Sequence, residues 1–523
     1  MSTEATTTDV RPTAARSSAT NGSATTSTPR ATANRSTTPD SNAFRERISR
    51  GWAERDEALP ALRESAGPAA RRRAQISERW PGARVVVPAG SLKQRSNDTD
   101  YAFRAHSAFS HLTGWGADAE PGAVLVLEPT PEGHEAVLYF RERAGRDSDE
   151  FYANPEIGEF WIGPRPSLAH VAADLGIPAR HLRELSVLGA DNRTVVVREA
   201  DAALTARLDE ERLATARAMV SAGCTTAEAR SAWVGEDARL EQDLSEIRLV
   251  KDGYEIAELR RAVDATAKGF DDVLANLGPA TAHSRGERIV ETTFHARARL
   301  EGNAVGYDTI AAAGPHACIL HWTRNDGAVR DGDLMLLDAG VEVDSLYTAD
   351  ITRTVPVGGS FTEVQRRVYQ AVLDAADAAF AIVRPGVTFR TVHETAMRVI
   401  AERTAEWGFL GMGVEEALAP EAQPHRRYMV HGTSHHLGLD VHDCAKARRE
   451  LYLDGVLEEG MVFTIEPGLY FQPDDLTVPE EYRGIGVRIE DDVVVTADGA
   501  ENLSAGIPRG ASAVEAWVRG ARR

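Results

Sequence analysis

The chain has 523 residues, enough for two or three domains, and 42 % of them are apolar, enough to bury a sizeable core. A net charge of −20 argues against nucleic acid and anionic membrane as partners, since both are polyanions. No stretch approaches about 18 consecutive apolar residues, so no membrane span is expected, and the first 40 residues lack the apolar core of a secretory signal.

Residues 1–42, rich in Ser, Thr, Ala, Pro and Arg, cannot bury enough apolar surface to offset their ordering entropy and read as a disordered tail. Residues 43–250 read as an N-terminal α/β domain. Its strands are RVVVPAG (84–90), AVLVLEP (123–129) and AVLYFRER (136–143), and a helix is predicted over 201–222. A linker and a long amphipathic helix follow over 246–277, so the domain boundary falls near 246–252, and residues 251–523 form the second domain. The cysteines, Cys224, Cys318 and Cys444, lie far apart without a paired framework or a CxxC motif, which fits a reducing, cytoplasmic setting.

The second domain holds a weak internal repeat. GDLMLLDAG (332–340) and GMVFTIEPG (460–468) share a pattern of Gly, five mostly apolar residues, an acid, one residue, Gly, and the shared register lays Asp338 on Glu466. Each copy is followed by a second acid near a strand, Asp350 in TADITRTVPV and Glu490 in GVRIEDDVVV, which suggests a duplicated α/β unit bringing four carboxylates together. A carboxylate at the end of a buried strand is costly to desolvate unless it meets a cation. Four together repel one another unless about two divalent ions neutralise them, and an oxygen-rich set with one imidazole leans towards Mn²⁺, with Co²⁺, Fe²⁺ or Zn²⁺ possible. Two ions so held would trap a bridging hydroxide as nucleophile. Between the copies, YMVHGTSHHLGLDVHD places four of the fifteen histidines, His431, His435, His436 and His442, within twelve residues. Spacing alone does not say which of them binds metal.

Together GDLMLLDAG, TADITRTVPV, HGTSHHLGLDVHD, GMVFTIEPGLYF and YRGIGVRIEDDVVV resemble the aminopeptidase P (Xaa-Pro aminopeptidase) branch of the pita-bread dimetal peptidases, over roughly residues 60–510. The resemblance implies a creatinase-like N-terminal α/β domain, a C-terminal pita-bread domain with an internal pseudo-twofold repeat, and a homo-oligomer, dimer or tetramer. It implies release of the N-terminal residue from peptides whose second residue is proline. The metal ligands would be Asp338, Asp350, His435, Glu466 and Glu490, with Asp350 and Glu490 bridging and Glu466 also carrying the proton. His431 and His442 would face the scissile carbonyl, His321 would support the substrate, and Arg488 would lie near the proline pocket. Tyr307 and Tyr470 would stand near the site, while Asp98 and Trp161 would reach a neighbouring subunit's site. His436 replaces the usual aromatic residue after the ligand histidine and reads as packing, and His316 and His425 read as loop residues. The Asp338–Asp350 spacing is one residue longer than usual, and the N-terminal domain is extended around FYANPEIGEF (151–160). The alternatives are a prolidase, which cuts only dipeptides, and a metal-free binding scaffold of the same fold.

Overall fold

The computed structural model describes residues 38–97, 99–187, 193–219 and 225–522. Residues 1–37 of the expected tail, and Cys224, lie outside them. The chain divides into a small unit, residues up to 57 with 142–166, and a large one, 58–141 with the chain from 167 onwards.

Among its described residues the small unit has three short helices, Asn42–Ile48, Asp149–Ala153 and Glu159–Ile162. Edge-to-face aromatic pairs hold it together: Phe44 on Tyr152, Trp52 on Phe151 and Phe151 on Phe160, with centroids 5.2, 5.6 and 5.9 Å apart.

In the large unit a five-stranded mixed sheet is built from β1 (Arg84–Pro88), β2 (Val124–Thr130), β3 (Gly133–Phe140), β4 (Ala179–His181) and β5 (Thr194–Val196), in the order β4-β3-β2-β1-β5. The central strands are continuous apolar runs because both faces are covered. Val85, Val87, Leu125, Leu127, Leu138 and Phe140 pack against α1 (Ala66–Arg79), α2 (Ser107–Thr113) and α4 (Thr226–Glu246). Val86, Val124, Val126, Val137 and Tyr139 meet Leu204 and Leu208 of α3 (Ala202–Met219).

Helix α5 (Gly253–Ala275) starts at a capping box: Asp252 accepts from the backbone of Tyr254 and Glu255, and Glu255 accepts from the backbone N–H of Asp252. Arg72 of α1 reaches Asp252 at 2.9 Å, which ties the N-terminal sheet to the start of the second half of the chain. Helices α6 (Gly286–Glu301), α7 (Glu363–Ala381) and α8 (Phe389–Glu406) join α5 in covering two small antiparallel sheets. One sheet holds β6 (Ile310–Ala313), β7 (Leu334–Ala339) and β8 (Ile351–Pro356), with β7 central. The other holds β9 (Val462–Ile465), β12 (Asp491–Val495) and β13 (Ala500–Asn502), with β12 central, and the pair β10 (Gly468–Tyr470) and β11 (Gly486–Arg488) lies beside it.

The closing glycine of each repeat copy has a steric reason. A Cβ on Gly340 would lie 1.6 Å from the Ala349 carbonyl oxygen, and one on Gly468 would lie 2.3 Å from the Tyr470 hydroxyl. The two sheets are stitched together where their acids emerge: the Glu490 N–H donates to the Thr352 carbonyl at 3.1 Å, and the Asp350 N–H donates to Asp492 Oδ2 at 3.2 Å.

Arg353 is the buried clamp on this junction. It donates to the Glu490 carbonyl at 2.5 Å and to Asp491 Oδ1 at 2.7 Å, and also reaches the carbonyls of Ile507 and Pro508. Replacing Arg353 by Met leaves buried Asp491 with only Ser504 and Arg509 and takes a donor from three carbonyls, so the folded state should lose about 3–5 kcal/mol. A chemical-denaturation midpoint falling accordingly is the expected result, and an unchanged midpoint would contradict the clamp.

Candidate metal centre and substrate pocket

Each acid sits where a strand opens or closes. Asp338 is the penultimate residue of β7, opposite Thr352 of β8, and Asp350 immediately precedes β8. Glu466 immediately follows β9, and Glu490 immediately precedes β12. His435 comes from a segment that runs along β9 as an extra edge: Glu466 N–H donates to Thr433 O at 2.8 Å, Thr464 N–H to His435 O at 2.9 Å and Leu437 N–H to Val462 O at 3.1 Å. The five side chains line one cavity of about 440 Å³, together with Tyr307, His321, His431, His442 and Arg488.

Asp350, His435 and Glu490 can bring ligand atoms within 4.8 Å of one another. His435 Nε2 lies 3.3 Å from Asp350 Oδ2, 3.7 Å from Glu466 Oε1 and 4.0 Å from Glu490 Oε1. Burial, ahead of mutual repulsion, raises the carboxyls of Asp350 and Glu490, and lifts Glu466 to about 7. Burial opposes charge on His435 too, but Asp350 and then Glu466 outweigh it and lift the imidazole to about 9.

Tyr307 supplies the clearest sign of a missing positive charge. Its hydroxyl lies 2.7 Å from Asp338 Oδ1 and 2.5 Å from Asp350 Oδ1, yet it has one proton to give. Arg488 offsets part of the negative charge by pairing with Asp338, and it also donates to Thr352 Oγ1 at 3.1 Å and Tyr470 Oη at 3.2 Å. A set of four carboxylates and one imidazole, acceptor-rich and donor-poor, fits divalent cations.

The histidines divide by partner. His431 Nδ1 lies 2.6 Å from the Gly432 carbonyl, so that nitrogen carries the proton, and Nε2 accepts from Tyr470 Oη at 2.8 Å. Burial and then Arg488 hold His431 down at about 3, so it stays neutral. The rings of His442 and His435 stand edge to face with centroids 4.5 Å apart. His436 is fully buried and stacks on Phe389 at 4.7 Å. His316 bonds to Glu287 at 2.7 Å and stacks on Trp322, and His425 is buried in a short 3₁₀ turn. Asp98 lies outside the described residues, and Trp161 belongs to the small unit, half-exposed, with its indole N–H on the Tyr152 carbonyl at 2.6 Å.

Three contributors were not anticipated. Thr352 donates to Glu490 Oε2 at 2.7 Å, Thr464 faces the His435 backbone, and buried Asp492 accepts from Asp350 N–H. Strand alternation carried the signal for two of them, since Thr352 follows Asp350 by two residues and Asp492 follows Glu490 by two.

The sequence model of Metallopeptidase family M24 matches residues 257–497, and that of the aminopeptidase P N-terminal domain matches 69–190. Xaa-Pro aminopeptidase 2 of Streptomyces coelicolor is 54 % identical over 476 residues, covering 90 % of this chain and 94 % of its own length. The chain belongs to the Xaa-Pro aminopeptidases of family M24. Xaa-Pro aminopeptidase 1 of the same organism is 51 % identical over 481 residues, covering 91 % of this chain and 92 % of its own. Among solved structures, aminopeptidase P from Escherichia coli with the inhibitor Pro-Leu superposes with a TM-score of 0.72 at 31 % identity, covering 88 % of this chain and 99 % of that one. As an Xaa-Pro aminopeptidase the protein is a metal-dependent hydrolase, with the N-terminal α/β and C-terminal pita-bread architecture of that family. The prolidase reading gains no support from these relatives. Among the described residues no helix is long and apolar enough to cross a membrane.

Metal ligands must be deprotonated, whereas Glu466 near 7 and His435 near 9 are partly or wholly protonated in the metal-free protein at neutral pH. Metal uptake at pH 7 should therefore release protons, and apparent affinity should rise from pH 6 to pH 9. Calorimetric titration with Mn²⁺ in buffers of different ionisation enthalpy reads both, and a pH-independent affinity without proton release would contradict this ligand set.

Proposed function

We propose that Asp338, Asp350, His435, Glu466 and Glu490 hold two divalent ions, most simply Mn²⁺, and that the pocket removes the N-terminal residue from peptides with proline second. The convergence of Asp350, His435 and Glu490 within 4.8 Å, beside Asp338 and Glu466, carries this reading. When bound, the ions supply Lewis acidity and a water that is nucleophilic at neutral pH. The residues around them do the rest.

Proline suits such a pocket because its nitrogen has no N–H to be gripped and its φ is fixed. Among the described residues, neither His321 nor His442 spends a ring nitrogen on a protein hydrogen bond, and both line the cavity, so both are free to donate to the scissile carbonyl or hold the adjacent peptide. Burial, and then the neighbouring His435, lower the pKa of His442. His431 and Tyr470, bonded to each other and backed by Arg488, form a fixed wall against which the proline ring packs. Arg488 supports Asp338 and Tyr470 beside the proline pocket. Glu466, lifted to about 7 by burial before any cation binds, is poised to take a proton and pass it to the departing proline nitrogen.

The wider reading is a two-domain enzyme, 43–250 and 251–523, acting as a cytoplasmic homo-oligomer in which Asp98 and Trp161 approach a neighbouring copy's pocket. Its partners are peptides beginning Xaa-Pro, with no nucleic acid and no membrane.

With Mn²⁺ restored after chelation, the enzyme should cleave a tripeptide with proline second and leave its alanine counterpart intact. Glu466→Gln should lower kcat by about 10²–10⁴-fold through loss of the proton carrier. Steady-state assays of both peptides check this, and a Glu466→Gln variant with ordinary kcat would refute the proton role.

A further inference from the structure

Helix α8 brings His393 up behind the segment that carries His435. The Thr433 backbone N–H donates to its Nδ1 at 3.3 Å, Thr433 Oγ1 lies 3.1 Å from the same nitrogen, and its Nε2 lies 3.2 Å from Arg426 Nη1. A guanidinium N–H can only donate. The ring thus meets an N–H on each side, Thr433 at Nδ1 and Arg426 at Nε2, and it is held between the two. A second proton is opposed by burial and then by the charges of Arg426, Arg390 and His425, which hold the ring at about 4. Arg426 gives its other Nη to the Val430 carbonyl. Burial lowers the pKa of this guanidinium, and no carboxylate acts in the opposite sense. Arg426 thus links His393 of α8 to the Val430 carbonyl, three residues before Thr433.

Thr433 is fully buried, while its neighbours Gly432 and Ser434 line the cavity. Its carbonyl accepts the Glu466 N–H, and two residues further on His435 pairs with Thr464. Gly432 is exposed, and a Cβ there would meet nothing closer than 4.0 Å, so on that side the segment has no packing to hold it. The restraint comes from behind, through Thr433.

We propose that His393, backed by Arg426, is a positioning residue that pins Thr433 and so fixes His435 against Glu466. The inference rests on the reading of those two side chains as metal ligands. Groups that orient metal ligands cost about 10–100-fold in affinity or activity when lost.

The test uses the full-length protein and three variants. His393→Asn keeps a polar group facing Thr433, His393→Leu fills the space without one, and Arg426→Met removes the support at Nε2. His393→Leu should lose about tenfold or more both in kcat at saturating Mn²⁺ and in Mn²⁺ affinity by calorimetry, with KM within about twofold. His393→Asn should stay within about threefold of the parent in both, and Arg426→Met should fall between the two. The proposal is overturned if His393→Leu keeps both quantities. It is equally overturned if His393→Asn falls as far as His393→Leu, which would show that only the bulk of the ring matters. Should Glu466→Gln leave kcat unchanged, the proton role of Glu466 fails, while the Mn²⁺ affinity of His393→Leu still decides the case for His393.

Discussion

Four carboxylates emerging from two sheets into one cavity cannot all be charged without a counterweight, and much of the architecture answers that constraint. Like charges at this range raise one another's pKa, and burial adds to the effect. The protein supplies three partial answers of its own: the Arg488 guanidinium on Asp338, the Tyr307 proton shared between Asp338 and Asp350, and the imidazolium of His435 beside Asp350 and Glu466. One guanidinium and one imidazolium leave the balance negative. Two cations held there would complete it, taking the place of the His435 proton, and would supply the hydrolytic chemistry.

The fold is arranged to make that liability tolerable. Strands β7 and β9 are apolar runs that end in acids, and the glycine after each acid allows an approach that a side chain would block. Backbone bonds between the sheets, with Arg353 buried across them, keep Asp350 and Glu490 side by side although they are far apart in the chain. The N-terminal sheet, braced through Arg72 to the cap of α5, belongs to the same large unit as this centre.

What could be read beforehand follows from the same physics. Asp338, Asp350, Glu466 and Glu490 stood out because an acid at the edge of a buried strand is anomalous, and the repeat tied them in pairs. The Val- and Leu-rich strands β1 to β3 were readable because both of their faces are buried. Helix α4 was not read as a separate element: its apolar contacts, Leu240 and Leu244, are sparse among charged residues, and the helix takes its place from the sheet it covers. The commitment of His431 to Tyr470 and Gly432 was also illegible, since spacing shows which residues are near one another and not which nitrogen holds a proton. Thr464 and His393 act through tertiary hydrogen bonds, and neither a threonine in a strand nor a histidine in a helix carries a local mark of such a role.

The central claim is that five side chains jointly hold two cations at one place. Diffraction from crystals loaded with Mn²⁺, collected at the manganese edge, addresses it directly. The account predicts two anomalous peaks per chain inside the cavity, both contacting Asp350 and Glu490, one of them also Asp338 and the other His435 and Glu466. A single peak, or peaks away from these side chains, would contradict it.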